Sequence, residues 1–432
     1  LTQASGSLID GGTGDVMLSA GTDATIGQVK TAGAGTIGIT AVAGRIDLND
    51  AIEAANGSIG VTAKTALALA SGASVTATGT GGVSLTATTG GLTQASGSLI
   101  DGGTGNVMLS AGTDATIGQV KTAGTGTIGI TAVAGRIDLN DAIEAANGSI
   151  GVMAETALAL ASSASVTATG TGGVSLTATT GDLTQASGSL IDGGTGDVTL
   201  SAGTDAKLGR VTTAGAVSVS ALAGAVELAD ALSTSGGSVE VTGETDVVVA
   251  ATGSVAGANG VSLTATTGDL TQASGSLIDG GTGDVMLSAG TDAKLGRVTT
   301  AGAVSVSALA GSVELADALS TSGGSVDVTA ETDVVVAATG SVAGANGVSL
   351  TAMTGGLTQA SGSLIDGGTG NVALSAGTDA KLGRVTTAGA VSVSALGGSV
   401  ELADALSTSG GSVEVTGETD VVVAATGSVA GA

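Results

Sequence analysis

The sequence predicts an all-β fold, a triangular parallel β-helix of about 19 coils with 19–24 residues in each coil and no helices. The first observation is a long repeat: the residues LTQASGSLIDGGTG return unchanged at Leu1, Leu92, Leu183, Leu270 and Leu357. The second is a shorter repeat inside it, in which Val/Ile-x-Leu/Ile/Val-x-Ala/Gly starts 19 times between Val16 and Val413. Self-similarity at this spacing is typical of a solenoid, in which each coil stacks on the next. The third is the absence of aromatic residues, which requires a narrow aliphatic core.

The first strand of each coil is the short motif itself. In the second coil, Ile37, Ile39 and Ala41 alternate with Gly38 and Thr40. Alternation with a period of two predicts a strand that buries one face and exposes the other.

The second and third strands of a coil are shorter apolar runs, separated by turns rich in Gly, Asn, Asp, Ser and Thr. Each strand is expected to pair with the same strand in the coils above and below. The inward residues predicted for these two strands in coils two to four are Ile46, Leu48, Ile52, Leu67, Leu69, Val75, Ala77, Leu92 and Leu99.

The long repeat has two lengths, 91 residues in its first two copies and 87 in the next two. The motif starts are 21, 22, 24 and 24 residues apart in the longer form, and 19, 22, 22 and 24 apart in the shorter one. Since the motifs stay intact, the missing residues are expected to fall at turns. The repeats are 1–91, 92–182, 183–269, 270–356 and 357–432, the last incomplete, in one solenoid over 1–432 that is expected to be a fragment of a longer chain.

The fourth position of the motif carries a hydroxyl in nearly every coil, with Met153 as the exception. Alternation places this residue outside, so a ladder of Ser and Thr is expected along one face. Outward hydroxyls need no special role, since Thr suits a sheet and both residues are soluble. An ice-binding face would favour a second hydroxyl in each coil, but the companion position holds Met17, Gly38, Gly60 and Ser84 in the first four coils.

The net charge is −26, with 37 acidic and 11 basic residues. Phosphate binding needs clustered Lys and Arg, so nucleic acid is not an expected partner. No apolar run reaches the ~20 residues of a membrane-spanning helix, so membrane insertion is not expected.

Two glycine-rich motifs are expected to be turns. Gly33–Gly38 and Gly124–Gly129 match G-x-G-x-x-G, but a dinucleotide site needs a following helix, and the residues after Gly38 alternate as in a strand. The segment Asp10–Asp15 resembles part of a calcium-binding nonapeptide with its last acid one place early. That acid becomes Asn106 and Asn371 in other copies, as a turn allows. The column Asp10, Asp101, Asp192, Asp279 and Asp366 recurs only once in four coils, too far apart to share an ion.

No catalytic site is expected. The trio Asp47, Asp50 and Glu53 returns as Asp138, Asp141 and Glu144, whereas an active site is usually a single place, and the chain has no His or Cys. No catalytic, cofactor-binding or metal-ligating residue and no cofactor is therefore predicted.

Six basic residues are expected to pair with nearby acids: Lys207, Arg210, Lys294, Arg297, Lys381 and Arg384. The sequons Asn56–Ser58 and Asn147–Ser149 are interpreted as Asn-Gly turns.

The coils resemble the repeat region of filamentous haemagglutinin-type exoproteins, the secreted partners of two-partner secretion systems. The resemblance covers the whole chain through segments such as GDVMLSAGTDATIG, GTIGITAVAGRIDL and GGVSLTATTGGLTQ. It implies a right-handed β-helix, an extracellular or bacterial cell-surface location, and a role in adhesion or biofilm structure. The family's secretion domain and RGD sequence do not occur in this chain.

The leading functional hypothesis is a non-catalytic structural shaft of a secreted or surface-attached bacterial fibre or adhesin. Its expected partners are further copies of itself, and a host or neighbouring cell surface contacted through parts outside this chain. Two alternatives are a self-assembling extracellular filament that stacks end to end, and an ice- or carbohydrate-binding module that uses the hydroxyl face.

Overall fold

The computed structural model describes residues 1–431, which form short β-strands joined by turns and contain no helix. The strands belong to two units, Leu1–Leu222 and Ala223–Ala432. In each unit the strands form three parallel sheets, called sheets 1, 2 and 3 in the order in which a coil visits them. The predicted all-β parallel solenoid is confirmed, with ten motif strands in the first unit and nine in the second. The continuity of the solenoid across the two units stays a prediction.

Sheet 1 contains the five-residue motif strands. In the first unit they are Val16–Ala20, Ile37–Ala41, Ile59–Ala63, Val83–Ala87, Val107–Ala111, Ile128–Ala132, Ile150–Ala154, Val174–Ala178, Val198–Ala202 and Val217–Ala221. In the second unit they are Val239–Gly243, Val261–Ala265, Val285–Ala289, Val304–Ala308, Val326–Ala330, Val348–Ala352, Val372–Ala376, Val391–Ala395 and Val413–Gly417.

Sheet 2 contains strands of three residues. In the first unit they are Ala24–Ile26, Ile46–Leu48, Leu67–Leu69, Leu92–Gln94, Ala115–Ile117, Ile137–Leu139, Leu158–Leu160, Leu183–Gln185 and Ala206–Leu208. In the second unit they are Val226–Leu228, Val247–Val249, Leu270–Gln272, Ala293–Leu295, Val313–Leu315, Val334–Val336, Leu357–Gln359, Ala380–Leu382, Val400–Leu402 and Val421–Val423.

Sheet 3 contains strands of three or four residues. In the first unit they are Leu8–Asp10, Gln28–Thr31, Ile52–Ala54, Ser74–Ala77, Leu99–Asp101, Gln119–Thr122, Ala142–Ala145, Ser165–Ala168, Leu190–Asp192 and Arg210–Thr213. In the second unit they are Ala231–Thr234, Ser254–Gly257, Leu277–Asp279, Arg297–Thr300, Ala318–Thr321, Ser341–Gly344, Leu364–Asp366, Arg384–Thr387, Ala405–Thr408 and Ser428–Ala430.

The strands of sheet 1 pair in register, so that equivalent motif positions stack on one another. Val16 pairs with Ile37 and Ala20 pairs with Ala41, and the next coils continue the same register. Because side chains alternate across a strand, this register stacks each inward side chain on the equivalent side chain of the neighbouring coil.

The core of each unit is a column of aliphatic side chains enclosed by the three sheets. In the second coil, the predicted inward residues Ile37, Ile39, Ile46, Leu48 and Ile52 are all at most 1% exposed. The prediction for Leu99 is wrong, because Leu99 is half-buried and the next residue, Ile100, is fully buried. Ile100 stacks on Val75 in the preceding coil, which leaves Asp101 on the outward side.

The predicted placement of the length changes at turns is confirmed, and both changes fall at the corner that leads from sheet 3 to sheet 1. This corner, called corner 3, spans residues 32–36 in the first coil but only 214–216 in the equivalent coil of the shorter repeat. Likewise, residues 78–82 are replaced by 258–260. The strands on either side keep their lengths, so the corner absorbs the whole change.

Corner 3 is narrow because successive coils contact one another there through backbone atoms. A Cβ atom on Gly57 would lie 2.0 Å from the carbonyl oxygen of Gly35 in the preceding coil. A Cβ on Gly81 would lie 2.3 Å from the carbonyl of Gly57. Only glycine fits between coils stacked at this distance, which explains the glycine-rich sequence of this corner.

Candidate functional site

The G-x-G-x-x-G segment Gly33–Gly38 lies at corner 3 and enters a strand, as predicted. Gly33 has a φ of +60°, and Gly35 lies against the backbone of Gly14 in the preceding coil. The strand Ile37–Ala41 follows directly, without the helix that a dinucleotide site requires. The segment is a coil corner.

The acids of the calcium-like segment are hydrogen-bonded within the fold. The Asp10 carboxylate accepts from the backbone N–H of Gly12 at 2.9 Å and lies 3.1 Å from Lys30 Nζ. These two contacts, the Gly12 bond above all, lower the pKa of Asp10 below its ordinary value. The four equivalent acids accept the same bond, at 2.8–3.0 Å, from the glycine two residues on: Asp101, Asp192, Asp279 and Asp366.

Asp15 joins two coils. Its Oδ1 atom accepts from the backbone N–H of Thr36 at 2.8 Å and from the Thr36 hydroxyl at 3.0 Å, and the backbone bond is the main reason why the pKa of Asp15 is lowered. Asn106 makes the same kind of bond to the N–H of Thr127 at 2.9 Å, and Asn371 to that of Ala390 at 2.9 Å. One acceptor oxygen is enough for this contact, so Asp and Asn are exchangeable here.

The sequence predicts no metal-ligating residue. Among residues 1–431, no group of three or more Asp or Glu side chains is arranged to hold a metal ion.

The acidic trio Asp47, Asp50 and Glu53 is spread around the coil. Asp47 lies on sheet 2 and pairs with the guanidinium of Arg45, while Asp50 accepts from the backbone N–H of Ala51 at 2.9 Å. Glu53 lies on sheet 3, in register with Lys30 of the preceding coil. The three acids thus lie on sheet 2, on the turn between sheets 2 and 3, and on sheet 3.

The prediction that the repeated basic residues pair with acids holds for Lys294 and Lys381 and is wrong for the three arginines. Lys294 Nζ lies 3.0 Å from a carboxylate oxygen of Glu314, and Lys381 lies 3.4 Å from Glu401. Within the described part of the chain, no carboxylate lies within 4.0 Å of the guanidinium groups of Arg210, Arg297 and Arg384. All three arginines are exposed, so solvation replaces the ion pair.

The predicted hydroxyl ladder runs along the outer face of sheet 1. Ser19 pairs in register with Thr40, Thr40 with Thr62, and Thr62 with Thr86, all with side chains on the solvent side. The companion position is irregular, as expected, and includes Met17, which is 75% exposed. This face has one regular column of hydroxyls.

A feature that the sequence reasoning missed is a glutamine that recurs in each large repeat and is buried in four of the five copies. Gln94 is 3% exposed, and its Nε2 atom donates to the backbone carbonyls of Ser98 at 3.2 Å and of Gln119 at 2.8 Å. Its Oε1 atom accepts from the backbone N–H of Gly118 at 3.1 Å. The side chain thus satisfies backbone groups of two successive coils at the corner between sheets 2 and 3, where the ladder of strand hydrogen bonds is interrupted.

The fourteen invariant residues contain this glutamine and other specialised corner contacts. The hydroxyl of Ser98 donates to Ala95 O at 2.7 Å, and Gly97 has a φ of +77° that other residues rarely adopt. The invariance of these residues across five copies was the signal that could have located the glutamine contacts. Four further copies place the same glutamine contacts in their own repeats: Gln3, Gln185, Gln272 and Gln359.

Shallow grooves occur at equivalent places in the two units, where corner 3 meets sheet 1. The groove in the first unit has a volume of about 450 Å³ and includes Gly82 and Met108 in its lining. The groove in the second unit has a volume of about 360 Å³ and includes the equivalent Gly260 and Met286. The lining of the first groove contains no charged residue, whereas that of the second includes the acids Glu240 and Asp284.

Comparisons with protein-family models, with curated proteins and with solved structures found no match for this chain. The fold therefore rests on strand pairing and burial within each unit, and the resemblance to filamentous haemagglutinin-type exoproteins stays a prediction. The part of the chain that the structure describes contains no helix that is long and apolar enough to cross a membrane.

Proposed function

We propose that the chain is a non-catalytic structural shaft of a secreted or surface-attached bacterial fibre, resembling the repeat region of filamentous haemagglutinin-type exoproteins. The observation that carries the proposal is the repetition of the same coil-to-coil contacts. The Gln94 contacts recur at Gln185 in the first unit and at Gln272 and Gln359 in the second. A shaft needs contacts of this kind in every repeat, because each coil is supported only by its neighbours.

The arrangement of charge supports the same proposal. The acids considered as candidate ligands serve as turn or coil-to-coil acceptors, or pair with a basic residue, as Asp10, Asp15 and Asp47 do. The Asp15 contact joins two successive coils, while those of Asp10 to Gly12 and of Asp47 to Arg45 stabilise turns and strands within a coil. The excess of acid over base, which gives the net charge of −26, favours repulsion between neighbouring shafts and thus keeps them apart.

The proposal places the chain outside the cell or on the bacterial surface, in support of adhesion or of a biofilm matrix. Its partners are further copies of itself, through end-to-end or lateral contacts, and a cell surface that other parts of the fibre contact. The family resemblance supports both statements.

The test varies the number of large repeats while leaving every type of coil in place. The full chain and a variant that lacks residues 270–356 are each placed between a bacterial surface anchor and a receptor-binding domain. The deletion removes four coils, or about 19 Å at the rung spacing of a β-sheet. We expect both chains to retain β-sheet circular dichroism, and cell attachment through the added domain to fall with shaft length. The shaft proposal would be contradicted if the full chain attached to cells without the added domain and if the deletion abolished that attachment.

A second candidate function is binding of ice or carbohydrate on the hydroxyl ladder of sheet 1. The observation in its favour is the unbroken register of Ser19, Thr40, Thr62 and Thr86. Thermal hysteresis and glycan binding are measured for the full chain and for a variant with Thr40, Thr62 and Thr86 changed to Val. Activity that the triple substitution removes would support a binding face, and no activity in either chain would rule it out.

A further inference from the structure

Four Asn-Gly pairs lie at corner 3, where a coil returns to sheet 1. In each pair the asparagine is exposed and the following glycine is buried. The pairs are Asn56–Gly57 and Asn147–Gly148 in the first unit, and Asn259–Gly260 and Asn346–Gly347 in the second. The four pairs share the same dipeptide and lie at the same corner of the coil, so differences in reactivity between them come from their surroundings.

An Asn-Gly pair can modify itself. The backbone nitrogen of the glycine attacks Cγ of the asparagine, a new N–Cγ bond forms, and the bond from Cγ to the side-chain nitrogen breaks with release of ammonia. Water then opens the cyclic imide to aspartate or to isoaspartate. The absence of a Cβ on glycine leaves its backbone nitrogen accessible. The reaction needs a free glycine N–H and a side-chain amide that is able to turn toward it.

In the second unit both reacting groups are held by hydrogen bonds. The side-chain Nδ2 of Asn259 donates to the carbonyl of Gly236 at 2.5 Å, and the N–H of Gly260 donates to Gly257 O at 3.3 Å. Asn346 repeats the arrangement with Gly323 as its acceptor, and the N–H of Gly347 donates to the corresponding carbonyl at 3.3 Å. Attack at these positions requires two hydrogen bonds to break.

In the first unit neither reacting group is held. Asn56 and Asn147 each donate their own backbone N–H to the preceding coil, at 2.8 Å. Within the described residues, their side-chain amides and the N–H groups of Gly57 and Gly148 have no hydrogen-bond partner. The backbone also differs, since Gly260 and Gly347 have φ values of +117° and +121°, while Gly57 and Gly148 lie outside the positive-φ region.

We propose that Asn56 and Asn147 are sites of spontaneous deamidation, and that the hydrogen bonds at Asn259 and Asn346 protect those residues. Each event replaces a neutral amide with a carboxylate, or inserts a CH₂ group into the backbone as isoaspartate. Insertion at residue 56 acts where Gly57 lies against Gly35, so it loosens the contact between two coils. The two sites lie one large repeat apart in the first unit, and each is a place where the contact between coils can loosen.

The experiment follows all four sites in one chain. The purified full chain is incubated folded in warm, mildly alkaline buffer, and a second sample is incubated in denaturant. Peptide mapping with fragment-ion mass spectrometry then measures, at each asparagine, the mass increase that replacement of NH by O produces. An Asn56→Ser variant verifies that the signal assigned to residue 56 is separate from that of Asn49, which lies in the same tryptic peptide.

In denaturant the four sites should react at similar rates, because their sequences are alike. In the folded chain we expect Asn56 and Asn147 to react about tenfold or more faster than Asn259 and Asn346, since two hydrogen bonds separate the classes. Equal rates at all four sites in the folded chain would overturn the proposal. So would reaction in denaturant with none at Asn56 and Asn147 in the folded chain.

Discussion

The side-chain amide of Gln94 donates to the backbone carbonyl of Gln119 in the next coil, with 2.8 Å between nitrogen and oxygen. The same side chain accepts the N–H of Gly118, so a single buried residue closes the hydrogen bonding of a corner where the strands have ended. Buried backbone groups rarely go unpaired, and here a side chain provides the pairing. The contact sits inside the segment that the chain repeats without change.

Replacing Gln94 with Ala should loosen this corner. The change leaves the buried N–H of Gly118 and the half-buried carbonyl of Gln119 without the Gln94 side chain as partner, at a cost of about 1–3 kcal/mol in the local free energy of opening. Native-state hydrogen exchange at Gly118 measures it directly. Thr93→Ser is the matched control, since Thr93 precedes the glutamine and is exposed. Unchanged protection of Gly118 in Gln94→Ala would show that the glutamine does not hold the corner.

Asp15 should tolerate Asn but not Ala. Asp15→Asn keeps an oxygen for the N–H of Thr36, as Asn106 does for Thr127, so the melting temperature should stay within error of the parent chain. Asp15→Ala removes the acceptor and should lower the melting temperature. Equal melting temperatures for the two variants would mean that the acceptor contributes nothing.

The lowered pKa values of Asp10, Asp15 and Asp379 predict a loss of stability in acid. Backbone N–H groups of Gly12, Thr36 and Ser399 stabilise the charged carboxylates in the folded chain, so the unfolded chain binds more protons below the ordinary pKa of 3.8. The stabilisation is present above that pH and is lost as the pH falls through the folded pKa values. Melting temperature against pH should fall less steeply in the double variant Asp15→Asn, Asp379→Asn. A slope as steep as that of the parent chain would contradict the assignment.

A comparison of two glycines distinguishes the effect of the close backbone contact at corner 3 from the general effect of lacking a side chain. Gly57→Ala should destabilise by about 1–3 kcal/mol, because its Cβ would meet the carbonyl of Gly35 and force the coils apart. Gly60→Ala should leave stability unchanged or raise it by up to about 1 kcal/mol, because no atom lies within 4 Å of the added Cβ and strand glycine is costly. Chemical denaturation compares the two variants. A similar loss in both would mean that the stacked glycines are not tightly packed.

Much of the fold follows from the sequence because period-two alternation and turn residues recur so often. The inward residues of the motif strands, the outward hydroxyls and the placement of length changes at turns were all predictable. Leu99 was misplaced because Leu99 and Ile100 are adjacent apolar residues in a strand of three, and only stacking on Val75 selects between them. The role of Gln94 was missed because its partners are backbone atoms of the next coil. The unpaired arginines escaped prediction because side-chain distances across coils depend on rotamers.

The most direct test of the account measures how distance grows with sequence. Spin labels are placed at Ser19 and Ser110, and in a second chain at Ser19 and Ser201, three equivalent outward positions in the first unit. Four and eight in-register pairings separate them, so the account predicts backbone distances of about 19 and about 38 Å by double electron–electron resonance. Doubling with a narrow distribution at both distances is the predicted result. Broad distributions, or a second distance well short of twice the first, would contradict a stack in which each motif adds one rung.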